Sequence, residues 1–124
     1  MILIGVNNLG NGHSVRETWE GVRAVLEQVR HELPSSAILL LCILPTGETK
    51  VDPMRKKVGE VNHLLRSLAS EKVTVLDVGG AFLDADGRIP AELMADFLHP
   101  TALGYERLCA GVAPELSRLL GPPH

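Results

Sequence analysis

An aspartate and a histidine stand three positions apart in Asp96-Phe97-Leu98-His99-Pro100. A general base for acyl transfer needs an imidazole that accepts a proton near neutral pH, with a carboxylate on its other nitrogen to fix the tautomer. Three residues of spacing set both side chains on one side of a turn, so a short loop suffices to build the pair. Pro100 fixes the backbone directly after His99. The same spacing also suits an aspartate that caps the following segment, with His99 as a surface loop residue. A second group sits near the start, where an apolar run empties into Gly5-Val6-Asn7-Asn8. A side-chain amide leaving a strand end beside the flexible Gly5 can donate to a developing oxyanion, an effect on the order of 2.7–4 kcal/mol per donor. An asparagine at such a place equally bonds its own backbone. His99 and Asp96 are therefore the candidate base and its orienter, and Asn7 with Gly5 the candidate oxyanion and substrate-binding pair.

A nucleophile is harder to find. Gly12-His13-Ser14-Val15 has a superficial likeness to a nucleophile elbow, but the glycine after the serine is missing. Ser14 and Glu17 instead have the spacing of a capping box, which gives the hydroxyl a complete structural role. Ser14 is the weak nucleophile candidate. Ser35, Ser36, Ser67, Ser70 and Ser117 fall at helix ends or on helix bodies.

The elements that must position these groups follow from periodicity. Met1–Val6 and Ala37–Leu44 are apolar runs without polar alternation, as strands covered on both faces require. Val73–Val78 reads as a third strand. Asn7–His13 reads as a loop. A helix from Ser14 ends at Pro34, with Val15, Trp19, Val22, Leu26, Val29 and Leu33 on its inner face. A second helix starts at Pro53, its inner stripe running from Met54 through Val58, Val61 and Leu65 to Leu68. Asp84-Ala85-Asp86-Gly87 is a turn, and Pro90–Ala95 one short helical turn. Thr101–Leu120 is the last helix, with Leu108, Val112, Leu116 and Leu119 inward and Pro114 predicting a kink or break. Gly121–His124 reads as a frayed tail. Strands alternating with helices define an α/β fold with a parallel sheet, expected as a single domain over residues 1–124. Ligands of such sheets bind at the carboxyl ends of the strands. Asn7, Pro45 and Gly79 leave strands at that end, and His99 and Asn7 are expected to converge there.

Composition narrows the partners. Aromatic residues are 3% of the chain, which leaves no stacking surface for nucleic acid. The net charge of −3, with Lys and Arg dispersed, argues the same way, and Arg55-Lys56-Lys57 reads as a solvated helix face. The longest apolar run is far too short to span a bilayer, and Met1–Ile4 lacks the flanks of a signal peptide. Cys42 and Cys109 read as buried free thiols in a reducing compartment, hence a cytoplasmic protein. His13, His31, His63 and His124 have no metal-ligand spacing, and Asp84–Gly87 lacks the later ligands of a calcium loop. No metal and no cofactor is expected.

Gly5-Val6-Asn7-Asn8 resembles the Gly-x-Asn-Asp block of the SGNH (GDSL-type) hydrolase superfamily, with Asn8 where aspartate is frequent. Asp96-Phe97-Leu98-His99-Pro100 resembles its Asp-x-x-His block. Further stretches resemble one branch, the catalytic subunits of intracellular platelet-activating-factor acetylhydrolase and their bacterial relatives. These are Ile43-Leu44-Pro45-Thr46-Gly47-Glu48, Val61–Leu65, Phe82–Gly87 and Leu103-Gly104-Tyr105. The resemblance implies a flavodoxin-like three-layer α/β/α sandwich and hydrolysis of small-molecule esters through a serine acyl-enzyme. His99 would be the base, Asp96 its orienter and Asn7 an oxyanion donor. The family's nucleophile block and its next glycine block lie upstream of the strand ending in Gly5. The resemblance therefore implies an N-terminally truncated sandwich whose serine comes from a separate polypeptide or from another residue of the chain. The rival expectations are a catalytically inactive SGNH-like remnant serving assembly or binding, and a flavodoxin-like phosphate-binding module. A first strand at a sheet edge invites pairing with another chain, so a homo-oligomer through Met1–Val6 is expected.

Overall fold

A computed structural model describes residues 1–121. The tail expected from Pro122 to His124 lies outside the described residues. The centre of the fold is a parallel pair, β1 (Ile38–Leu41) and β2 (Val73–Leu76), in register from Ile38 opposite Val73 to Leu41 opposite Leu76. β1 is buried at every position, as its unbroken aliphatic sequence requires. Its side chains alternate between two apolar clusters. Ile38 and Leu40 face one layer, made by α1 (Val6–Gly10), α2 (Val15–Glu32) and α3 (Pro53–Leu65). Leu39 and Leu41 face the other, made by Phe82, Ile89, Met94 and α4 (Ala102–Leu120). Helices thus cover both faces of a short parallel sheet, which is the three-layer sandwich.

The opening segment departs from the expected strand. Only Ile2 pairs with β1, donating its N–H to the Leu39 carbonyl at 2.7 Å and accepting from the Leu41 N–H at 2.8 Å. Its neighbours Met1, Leu3 and Ile4 are exposed rather than covered on both faces. Gly5, at φ +118°, then turns the backbone out of the extended region, and residues 6–10 form α1 where a loop was expected. A Cβ at Gly5 would stand 2.8 Å from Ile43 Cδ1, so the tight entry into α1 depends on glycine.

The capping box of α2 is formed as its sequence requires: Ser14 Oγ accepts from the Glu17 N–H, and Glu17 Oε1 from the Ser14 N–H, both at 3.0 Å. On its inner face Thr18 is buried, whereas Leu33 lies exposed past the last turn. Trp19 is half-buried with the Arg16 and Arg23 guanidiniums over its ring. α3 starts at Pro53 with Asp52 as its cap. α4 runs through Pro114 without a break. Proline removes the bond to the Ala110 carbonyl, but Ala110 and Pro114 both lie on the exposed face, where water can satisfy that group. The Pro90–Ala95 segment makes a single turn, Leu93 and Met94 N–H groups both bonding the Pro90 carbonyl. Both cysteines are unpaired; Cys42 is buried, but Cys109 is exposed on α4, contrary to expectation. Among the described residues no helix is long and apolar enough to cross a membrane.

Candidate active site

The loop between Pro90 and α4 shapes the acid–base pair. Phe97 adopts the left-handed region at φ +57°, unusual for a bulky residue and costing roughly 1–2 kcal/mol. Three contacts hold it there. Its N–H bonds the Met94 carbonyl at 3.1 Å, its carbonyl accepts from the Gly47 N–H at 2.9 Å, and its ring packs on the α4-side core. The reversal folds His99 back onto Asp96. Asp96 Oδ1 accepts from the Leu98 and His99 N–H groups at 3.0 and 2.8 Å, and Oδ2 lies 2.7 Å from His99 Nδ1. The imidazole hydrogen bond, with the two amides behind it, pulls the Asp96 carboxyl from the ordinary 3.8 down to about 2. Asp96 is thus an anion over all ordinary pH and holds the imidazole with Nε2 directed away from the carboxylate. That is the arrangement a proton-accepting histidine requires. Both side chains are more than half exposed.

Beyond His99, the Thr101 N–H bonds the Leu93 carbonyl at 2.8 Å, and Thr101 Oγ1 caps α4 by accepting from the Gly104 N–H at 3.1 Å. The loop is therefore fastened to the helix start on both sides of the dyad.

His99 lines a cavity of about 190 Å³ with apolar walls that include Leu3, Ile4, Val6, Leu98 and Leu108. Asp96 opens onto a neighbouring cleft of about 670 Å³, lined also by Asn7, Asn11, Glu48 and Asp52. The two share Val6, Thr46 and Leu98. Asn7 sits exposed on the first turn of α1, on the cleft with Asp96 rather than in the cavity with His99. Gly5 is buried and lines neither space. Ser14 lines neither space, its hydroxyl being taken up by the α2 cap.

Three residues here escaped the sequence reading. Arg55 is not a solvated lysine-like residue: it is half-buried, and its guanidinium donates to the Thr46 and Gly47 carbonyls at 2.9 and 3.0 Å. Burial lowers its pKa, with Asp52 opposing. Asn62 is buried in α3 and closes a two-way bond with the Ile43 backbone, at 2.7 and 2.9 Å. Thr46 is buried where the two cavities meet. A polar residue inside an otherwise apolar helical stripe, as at Asn62, is the one signal that pointed to any of them.

This fold recurs in solved GDSL-type hydrolases. It matches a putative platelet activating factor protein from Streptococcus pneumonia with TM-score 0.81 and 27% identity, covering 92% of this chain and 57% of the other. It also matches a GDSL-like lipase from Bacteroides thetaiotaomicron with TM-score 0.76 and 15% identity, covering 94% and 60%. The class is thus the GDSL/SGNH hydrolase fold, a three-layer α/β/α sandwich. In sequence, residues 1–107 match the GDSL-like lipase/acylhydrolase family, and the chain belongs to that family. It is 34% identical over 122 residues to the platelet-activating factor acetylhydrolase IB subunit alpha2 of Gallus gallus, and 31% identical to the alpha1 subunit of Homo sapiens. Each alignment covers 97% of this chain and 52% of the relative, so the chain spans about half the length of these relatives.

Proposed function

We propose that this chain is an SGNH-type esterase acting on a small carboxylic ester, with His99 and Asp96 as its acid–base pair and without metal or cofactor. His99 Nε2 takes the proton of an attacking serine hydroxyl, Asp96 stabilises the imidazolium so formed, and Asn7 donates to the oxyanion of the tetrahedral intermediate. His99 then returns the proton to the departing alkoxide. The observation that carries the reading is the 2.7 Å Asp96–His99 pair beside an apolar cavity, in a chain of this family. The resemblance to acetylhydrolase subunits favours a short acyl group. Two unpaired thiols support a reducing, cytoplasmic setting. The exposed Met1, Leu3 and Ile4 beside a single-residue bridge support a homo-oligomer through this edge.

The test is hydrolysis of p-nitrophenyl acetate by the wild type, His99→Ala and Ser14→Ala. The expected result is turnover that falls about 10²–10⁴-fold in His99→Ala and is unchanged in Ser14→Ala. Fluorophosphonate labelling followed by peptide mapping locates the serine. Turnover insensitive to His99→Ala, or none above buffer with the wild type, removes the reading for this chain. A clean monomer by light scattering removes the oligomer.

A further inference from the structure

Thr46 is an unusual buried polar residue. It is only 4% exposed, and among the described residues its hydroxyl has no hydrogen-bond partner. Buried hydroxyls are nearly always paired, because an unmade bond in a dry interior is costly. Its backbone is not free to relax. Arg55 grips its carbonyl and the next one, and the Gly47 N–H is tied to the Phe97 carbonyl. The residue so fixed is one of three that wall both cavities; the other two, Val6 and Leu98, are apolar. Thr46 is thus the polar side chain at the junction between the histidine's cavity and the asparagine's cleft.

We infer that Thr46 is a substrate-positioning residue, its hydroxyl turning toward that junction to hydrogen-bond an oxygen of a bound neutral ester. This rests on the esterase reading. Threonine's methyl and hydroxyl exchange places between staggered rotamers, so presenting the hydroxyl needs no backbone movement. With the ester oxygen at the junction, the small apolar group occupies the cavity of about 190 Å³ and the rest of the molecule extends along the cleft past Asn7. The hydroxyl, which finds no partner within the described fold, gains one from the bound ester.

The probe is 2-butanone, which offers a carbonyl between two small alkyl groups and is not hydrolysed. It is titrated into the whole ¹⁵N-labelled chain while the Thr46, Leu98 and His99 amide signals are followed. The expected result is saturable shifts in the wild type, affinity weakened roughly three- to tenfold in Thr46→Val, as loss of one neutral hydrogen bond implies, and near-wild-type affinity in Thr46→Ser. Equal affinity in Thr46→Val, equal weakening in both variants, or no saturable shift in the wild type overturns the inference. Urea unfolding supplies an independent readout: the Thr46→Val midpoint should stay level or rise, since no internal bond is lost. A fall would show that the hydroxyl has a partner within the fold and would also overturn it. Ester turnover insensitive to His99→Ala defeats the esterase reading instead, whatever the ketone titration gives, so the two failures are separable.

Discussion

Replacing Gly104 by alanine inverts the usual rule for helices. In an open helix position Gly→Ala stabilises by roughly 0.5–1 kcal/mol, because glycine loses more backbone entropy on folding. Gly59 in α3 is such a position: apart from its chain neighbours and its own helix backbone, no atom of the described residues lies within 4 Å of the added methyl. At Gly104 the added Cβ would lie 2.3 Å from the Leu93 carbonyl oxygen and 3.0 Å from Pro100 Cβ. The oxygen must retreat by about 1 Å to reach an ordinary contact in a close-packed interior. That oxygen also accepts the Thr101 N–H at 2.8 Å, so the retreat strains the fastening of the loop. Overpacking costs about 1–3 kcal/mol and the weakened bond about 1 kcal/mol more. Subtracting the propensity gain leaves a net loss of about 1–3 kcal/mol, or roughly 4–12 °C in Tm for a chain of this size. Gly59→Ala should raise Tm by roughly 2–4 °C on the same scale. Differential scanning calorimetry of the two variants side by side is the assay. If Gly104→Ala raises Tm as Gly59→Ala does, the close approach of loop and helix is wrong. Because the displaced segment carries Asp96 and His99, the proposed esterase function predicts slower ester hydrolysis in Gly104→Ala and none of that loss in Gly59→Ala.

Asn62→Ala orphans the buried N–H and C=O of Ile43, each costing about 1–3 kcal/mol. The expected loss is about 2–5 kcal/mol by urea denaturation, and a change under about 0.5 kcal/mol would refute the pairing. The Asp96 carboxyl should titrate near 2 by NMR, and in His99→Ala its midpoint should move up toward 3.8, since the imidazole is the largest cause of the shift. With the folded pKa below the unfolded one, this carboxylate contributes stability that is present above 3.8 and lost as pH falls through about 2. Acid unfolding of His99→Ala should accordingly depend less on pH in that window. Ser14→Ala should cost about 1 kcal/mol through loss of the α2 cap, read from urea midpoints; no loss of stability would contradict the capping role.

The layers were legible because burial on both faces leaves no polar alternation: Ile38–Leu41 announced a central strand and its helices announced themselves by stripe and cap. The first segment misled for the same reason. Met1–Ile4 has the composition of a central strand, yet its pairing is a property of its neighbours, and only Ile2 meets one. The Gly5 conformation that starts α1 leaves no room for a side chain beside Ile43, a contact across the fold that no local pattern records. In the site, spacing indicated that Asp96 and His99 would meet. It held nothing about the left-handed Phe97 that brings them together, because that strain is upheld by Gly47, far away in sequence. Arg55 and Thr46 escaped because their roles lie in backbone contacts between loops rather than in periodicity.

The opening segment is tethered to the sheet by the two hydrogen bonds of Ile2, and it furnishes Leu3, Ile4 and Val6 as part of the apolar wall opposite His99. One side of that pocket is consequently no more durable than a two-bond hinge. Amide exchange at Ile2 should proceed by local fraying, well before the β1–β2 ladder opens, and each such event momentarily takes away part of the pocket's apolar wall.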